Sequence, residues 1–64
     1  MNNAIVGKYV YSIDYYIDGE YQRTVSIPAD SPLNAFEQMI QWCEFNNVTP
    51  DRIEIKQCRA ARNT

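Results

Sequence analysis

Residues 8–27, KYVYSIDYYIDGEYQRTVSI, decide how this 64-residue chain folds. In the first half Tyr9, Tyr11, Ile13, Tyr15 and Ile17 alternate with Lys8, Val10, Ser12, Asp14 and Tyr16, the period-2 pattern of a strand with one buried face. In the second half, residues 20–27, Tyr21, Val25 and Ile27 alternate with Gln22, Thr24 and Ser26. Asp18-Gly19 between them signals a hairpin. A two-residue loop would set Ile17 opposite Glu20 and throw the two apolar faces out of step. A three-residue loop, Ile17-Asp18-Gly19 with Gly19 left-handed in a bulge, keeps them together. It predicts Tyr16 opposite Glu20, Tyr15 opposite Tyr21, Tyr11 opposite Val25 and Tyr9 opposite Ile27. Arg23 then faces Ile13 on the apolar side, where its head reaches water from an edge.

Downstream of the hairpin, Ala29-Asp30-Ser31-Pro32 reads as a helix start, with serine at the N-cap and proline at the first helical position. Leu33, Phe36, Met39, Ile40 and Cys43 form an apolar stripe at helical spacing, centred on Phe36. Asn46-Asn47 supply a left-handed end before Val48-Thr49-Pro50. A third strand follows at 52–58, with Ile53 and Ile55 inward. The fold class is therefore α+β, in the order strand, strand, helix, strand. A right-handed return places the third strand parallel to the second, with the first in the middle, order 2-1-3. One helix covers one face. The other face carries Val10, Ser12, Asp14, Tyr16, Thr24, Arg52, Glu54 and Lys56. Residues 1–64 form a single domain, with frayed ends expected at 1–5 and 60–64.

The totals limit what such a domain can be. Stability is expected to be modest, or borrowed from a partner, at this length. MNNAIVGK has neither the basic start of a signal peptide nor the length of a membrane span, so the chain reads as cytoplasmic. In that setting Cys43 and Cys58 are expected as free thiols, and Asn47-Val48-Thr49 is a glycosylation sequon by pattern alone. Charge is uneven. Lys8 and Arg23 stand against seven carboxylates up to Asp51, whereas Arg52, Lys56, Arg59 and Arg62 stand against Glu54 in the remainder. An acidic body with a basic last strand suits a charged protein partner better than duplex nucleic acid, which calls for a broad basic face.

The chemistry of catalysis is missing. The chain has no histidine, which removes the usual base and the usual partner of cysteine at zinc. Gly7 and Gly19 cannot build a phosphate loop, and the acids fall on turns, caps and helix surface with no paired arrangement. No enzyme and no cofactor are expected.

Attention shifts to Trp42 and Phe45. On a helix turning about 100° per residue they lie off the Phe36 stripe. In one reading Trp42 leans over the sheet's edge and Phe45 closes the helix end under residues 48–50. In the other, both form an exposed aromatic patch with Gln38 and Gln41, as interface anchors do. Of the five tyrosines, four fall on the face assigned to the helix, leaving Tyr16 alone to stack on a base.

At Val25-Ser26-Ile27-Pro28-Ala29-Asp30-Ser31 the chain resembles the small protein with which short-tailed coliphages shut off host RNA polymerase. The likeness runs through Ala35-Phe36-Glu37 and, with a one-residue shift, Trp42, to a charged strand ending at Cys58. It covers residues 23–58. The resemblance implies the same element order, and binding to the jaw of the polymerase's largest subunit through two arginines of the last strand. Lys56 matches the second of these, and Glu54 stands where the first would be; Arg52, Arg59 and Arg62 offer charge nearby. The helix start at Leu33, Phe36 and Glu37 is also similar to the uracil-DNA glycosylase inhibitors of small Bacillus phages. That likeness implies self-association through the helix and a pocket that traps an apolar side chain of the enzyme. The reading is a phage-type inhibitor that occupies the surface of a host enzyme, RNA polymerase first and the glycosylase second. Trp42 and Phe45 would be the apolar anchor with Gln38 beside them, and Arg52, Lys56 and Arg59 the ionic contacts. A nucleic-acid-binding regulator using the basic tail is the reading from another class.

Overall fold

The computed structural model describes residues 8–61. Strands β1 (Tyr9–Ile17) and β2 (Glu20–Ala29) are followed by helix α1 (Pro32–Phe45) and strand β3 (Arg52–Ala60). The sheet has the expected order, β2-β1-β3. Both outer strands are antiparallel to β1, so β2 and β3 run in the same direction. β3 continues through Ala60, two residues past the expected end at Cys58, and the Ala61 N–H donates to the Lys8 carbonyl at 2.9 Å. Residues 1–7 and 62–64, and with them Arg62, lie outside the described residues.

The hairpin reaches its register by a different route from the expected three-residue loop. Asp18 and Gly19 both have positive φ, 54° and 77°, and Ile17 faces Glu20. This is a two-residue turn whose twist matches that of the strands. Left alone it would misalign the apolar faces, as its parity demands. Gln22 repairs the fault. It is inserted as an extra residue in β2, so that Tyr16 faces Tyr21 but Tyr15 faces Arg23. Beyond the bulge Ile13 faces Val25, Tyr11 faces Ile27 and Tyr9 faces Ala29. Arg23 thus lies beside Tyr15 rather than Ile13, and Tyr21 moves to the face away from the helix.

A second bulge adjusts β3. Ile55 faces Ile13 and Gln57 faces Ser12, leaving Lys56 as the extra residue. The shift keeps Ile53 and Ile55 on the helix side and brings Cys58 opposite Tyr11.

Both ends of α1 are capped by sequence-local groups. The Ser31 hydroxyl accepts from the Asn34 N–H at 3.1 Å, with Pro32 directly after it. At the other end Asn47 takes φ 58°, the Asn47 N–H donates to the Glu44 carbonyl and the Val48 N–H to the Cys43 carbonyl. These two bonds make a Schellman cap with asparagine in the place that glycine usually holds.

The core consists of Tyr11, Ile13, Tyr15, Val25, Ile27, Ala29, Ala35, Met39 and Cys43. The helix therefore faces the sheet along Ala35–Met39–Cys43, centred on Met39 and not on Phe36. Leu33 and Ile40, expected inside, are 70% and 50% exposed, and Phe36 is half-buried outside the core cluster. The cause is steric. Ala35 and Ala29, both fully buried, let helix and strand approach closely on the β2 side, and the helix settles over β2 and β1 with little reach to β3.

Candidate protein-binding surface

The helix has two flanks of different character. Towards β2, Trp42 is half-buried against the core, its ring 5.7 Å from that of Tyr15. The Arg23 guanidinium lies over the indole, 5.6 Å from the ring centroid. Phe45, three residues on, is 88% exposed. The two aromatics thus divide between the two readings of the sequence. Trp42 leans over the sheet's edge, but Phe45 does not close the helix end, because Val48 holds that place through its bond to Cys43 and its packing on the core. Gln38 is half-buried and Gln41 exposed beside them. Arg23, which the alternation alone had placed only as a snorkelling edge residue, is the cation of this patch.

Towards β3, Ile40, Cys43, Glu44, Val48, Thr49, Pro50 and Ile53 line an open cleft of about 280 Å³. Ile40 forms its helix wall and Ile53 its floor. Leu33 lies on the same side two turns earlier. Glu44 supplies the only charge of the lining.

The sheet face away from the helix is polar and aromatic. Arg52 stacks 4.2 Å above the Tyr16 ring, whose other neighbour is the edge of Tyr21 at 6.1 Å. The contact with Tyr16 and the nearby Glu54 raise the Arg52 pKa, so this cation is held in its charged form. Asp14 is buried here and accepts from the Thr24 hydroxyl. Since that hydroxyl has one proton, the Tyr21 hydroxyl must donate to Thr24 at 2.9 Å. Two tyrosines and an arginine share the face, not Tyr16 alone. Their rings are already engaged, and Asp14 and Glu54 lie among them, which disfavours stacking by nucleic-acid bases.

The anchor residues proposed from sequence fall into two groups. Trp42, Phe45 and Gln38 gather on the β2 flank of the helix, whereas Arg52, Lys56 and Arg59 sit on β3, at the opposite edge of the sheet. A single flat partner surface cannot contact both sets. Cys43 is buried, and burial, reinforced by Glu44, pushes its thiol pKa up. Cys58 is exposed on β3. The Tyr11 pKa is also raised, by burial first and by the neighbouring Cys58 thiol second. Among the described residues no three metal-ligating side chains gather, and no helix is long and apolar enough to cross a membrane. Compared with models of known protein families, with curated proteins and with solved structures, the chain matches none.

Proposed function

We propose that the chain is a small, non-catalytic protein of the phage inhibitor type, which binds a host bacterial enzyme and blocks it by occupying its surface, with RNA polymerase as the target. The observation that carries the proposal is Phe45, a phenyl ring left 88% exposed beside the half-buried Trp42 and Arg23. An exposed aromatic next to a supported indole and a guanidinium is the composition of interface anchors. The likeness over residues 23–58 supplies the polymerase as the target. Phe45 and Trp42 would enter an apolar pocket of the partner, with Arg23 and Gln38 at its rim. Arg52 and Arg59 contribute only where the partner wraps around the sheet.

A second target keeps a place because of the cleft between Ile40 and Ile53. Its size and apolar lining suit an inserted aliphatic side chain, as the resemblance to glycosylase inhibitors implies. Titration of the protein with purified bacterial RNA polymerase, and separately with uracil-DNA glycosylase, tests both targets. The Trp42 emission reports binding, and transcription or uracil release reports inhibition. The proposal expects saturable inhibition of transcription that Phe45→Ala weakens roughly tenfold or more. Inhibition of the glycosylase alone would move the target to the second reading. Absence of both, with salt-sensitive binding to a single-stranded oligonucleotide, would overturn the inhibitor.

A further inference from the structure

On the side of α1 turned towards β3, Leu33, Phe36 and Ile40 recur at i, i+3 and i+7, the spacing of the apolar seam in a pair of packed helices. Counted at about 100° per residue, they lie about 60° to 120° round the helix from the buried Met39. Leu33 and Ile40 are exposed and Phe36 is half-buried, so the seam stands open over two turns. Glu37 and Glu44 are exposed along its outer border. Seven residues separate them, about 10.5 Å along the axis, and both hold the heptad position whose charge selects a partner. Nothing on the helix offsets them, because α1 has neither lysine nor arginine. Arg52, next in sequence to the cleft residue Ile53, is stacked on Tyr16 on the other face of the sheet.

We propose that this flank binds a basic amphipathic helix of another protein, its apolar stripe laid along Leu33, Phe36 and Ile40 and its lysines or arginines set against Glu37 and Glu44. Apolar residues at this spacing are how a helical ligand is read, and the two carboxylates fix the sign of its charge. The same charge excludes a second copy of this chain. Packed antiparallel, two such helices bring Glu37 and Glu44 of one against Glu37 and Glu44 of the other, four like charges at one seam. Packed parallel, each glutamate meets the position held by Pro32, Met39 and Asn46, none of which carries charge, and Met39 is already buried against the sheet. A cationic helix satisfies seam and border together. Phe45 and Trp42 lie on the opposite flank of α1 and stay open to a different protein.

The probe is a synthetic helix of about three heptads with leucine at the seam positions and lysine at the bordering ones, compared with the same peptide carrying glutamate for lysine. Titration into isotope-labelled protein, read by amide chemical shifts, tests both, with circular dichroism to confirm that each variant folds. The lysine peptide should bind saturably, with shifts centred on Leu33, Phe36, Glu37, Ile40 and Glu44, and the glutamate peptide roughly tenfold or more weakly. Ile40→Ala should weaken the lysine peptide roughly tenfold, while Phe45→Ala leaves it unchanged. The double variant Glu37→Lys/Glu44→Lys should reverse the preference between the two peptides. No binding up to millimolar peptide, equal binding of the two peptides, shifts centred on Phe45 or Tyr16, or a double variant that still prefers lysine overturns the proposal. So does a wild-type chain that sediments as a dimer until Ile40→Ala breaks it, since a second copy would then cover this flank.

Discussion

Along the β2 flank Ala29 and Ala35 bring strand and helix together, and Trp42 covers Tyr15 with Arg23 over its ring. Along the β3 flank Leu33 and Ile40 stand largely exposed above Ile53 and Ile55, which are only half-buried. The same helix and the same sheet produce both. A helix about 10 Å across cannot cover three strands set about 4.8 Å apart and also pack closely on one pair. Small residues decide which pair it chooses. The remaining flank leaves Leu33 and Ile40 uncovered, with an open cleft between Ile40 and Ile53.

The comparison can be broken most forcefully at the helix centre. Met39 is fully buried beneath both flanks, and Met39→Ala should cost about 2–5 kcal/mol, enough to unfold a domain of this size. Ile40→Ala, one residue along, should change the stability of the monomer by about 0.5 kcal/mol or less. Chemical denaturation followed by circular dichroism reads both. Equal effects of the two would erase the difference between the flanks. Next in size, Trp42→Ala should cost about 2 kcal/mol through lost contact with Tyr15 and Arg23, whereas Phe45→Ala should stay within about 0.5 kcal/mol. A strongly destabilised Phe45 variant would mean that its ring is packed after all.

At the hairpin, no atom crowds a methyl group added to Gly19, so Gly19→Ala tests backbone conformation alone. Its φ of 77° predicts a loss of about 1 kcal/mol. The smallest effect concerns the thiols. Cys58 should react with an alkylating reagent in the native state, while Cys43 reacts only on unfolding. Because folding raises the Cys43 pKa above its ordinary 9.0, the folded state retains this proton longer than the unfolded state. That contribution to stability is intact below pH 9 and is lost as the pH rises through the higher folded-state value. Stability that rises between pH 9 and 10 would contradict it.

The sequence made the element order legible because the signals were local. Alternation in 8–17 and 52–58, Asp18-Gly19, Ser31-Pro32 and Asn46-Asn47 each act within a few residues, and each occupies its expected place. The pairing register was less accessible. Parity revealed that a two-residue turn conflicts with the apolar pattern, but an early bulge and a longer loop resolve that conflict equally well on paper. Asp18 tolerates the positive φ that this two-residue turn requires better than most side chains do, which favours the bulge at Gln22. The helix face was misread for a different reason. Bulk drew the stripe to Leu33, Phe36 and Ile40, while close approach depends on alanine, whose contribution is the absence of volume. That rotation carries through to the candidate site, placing Trp42 over Tyr15, exposing Phe45 and opening the cleft at Ile40.

The rotational setting of the helix supports every later step, and nuclear Overhauser contacts from the Trp42 indole and the Ile40 methyls measure it directly. The account predicts contacts from the indole to the Tyr15 ring and the Arg23 side chain, and from Ile40 to Val48, Pro50 and Ile53. Contacts from Leu33 and Ile40 to Ile13 and Val25, with an indole free of Tyr15, would place the helix on its Phe36 face and contradict the account.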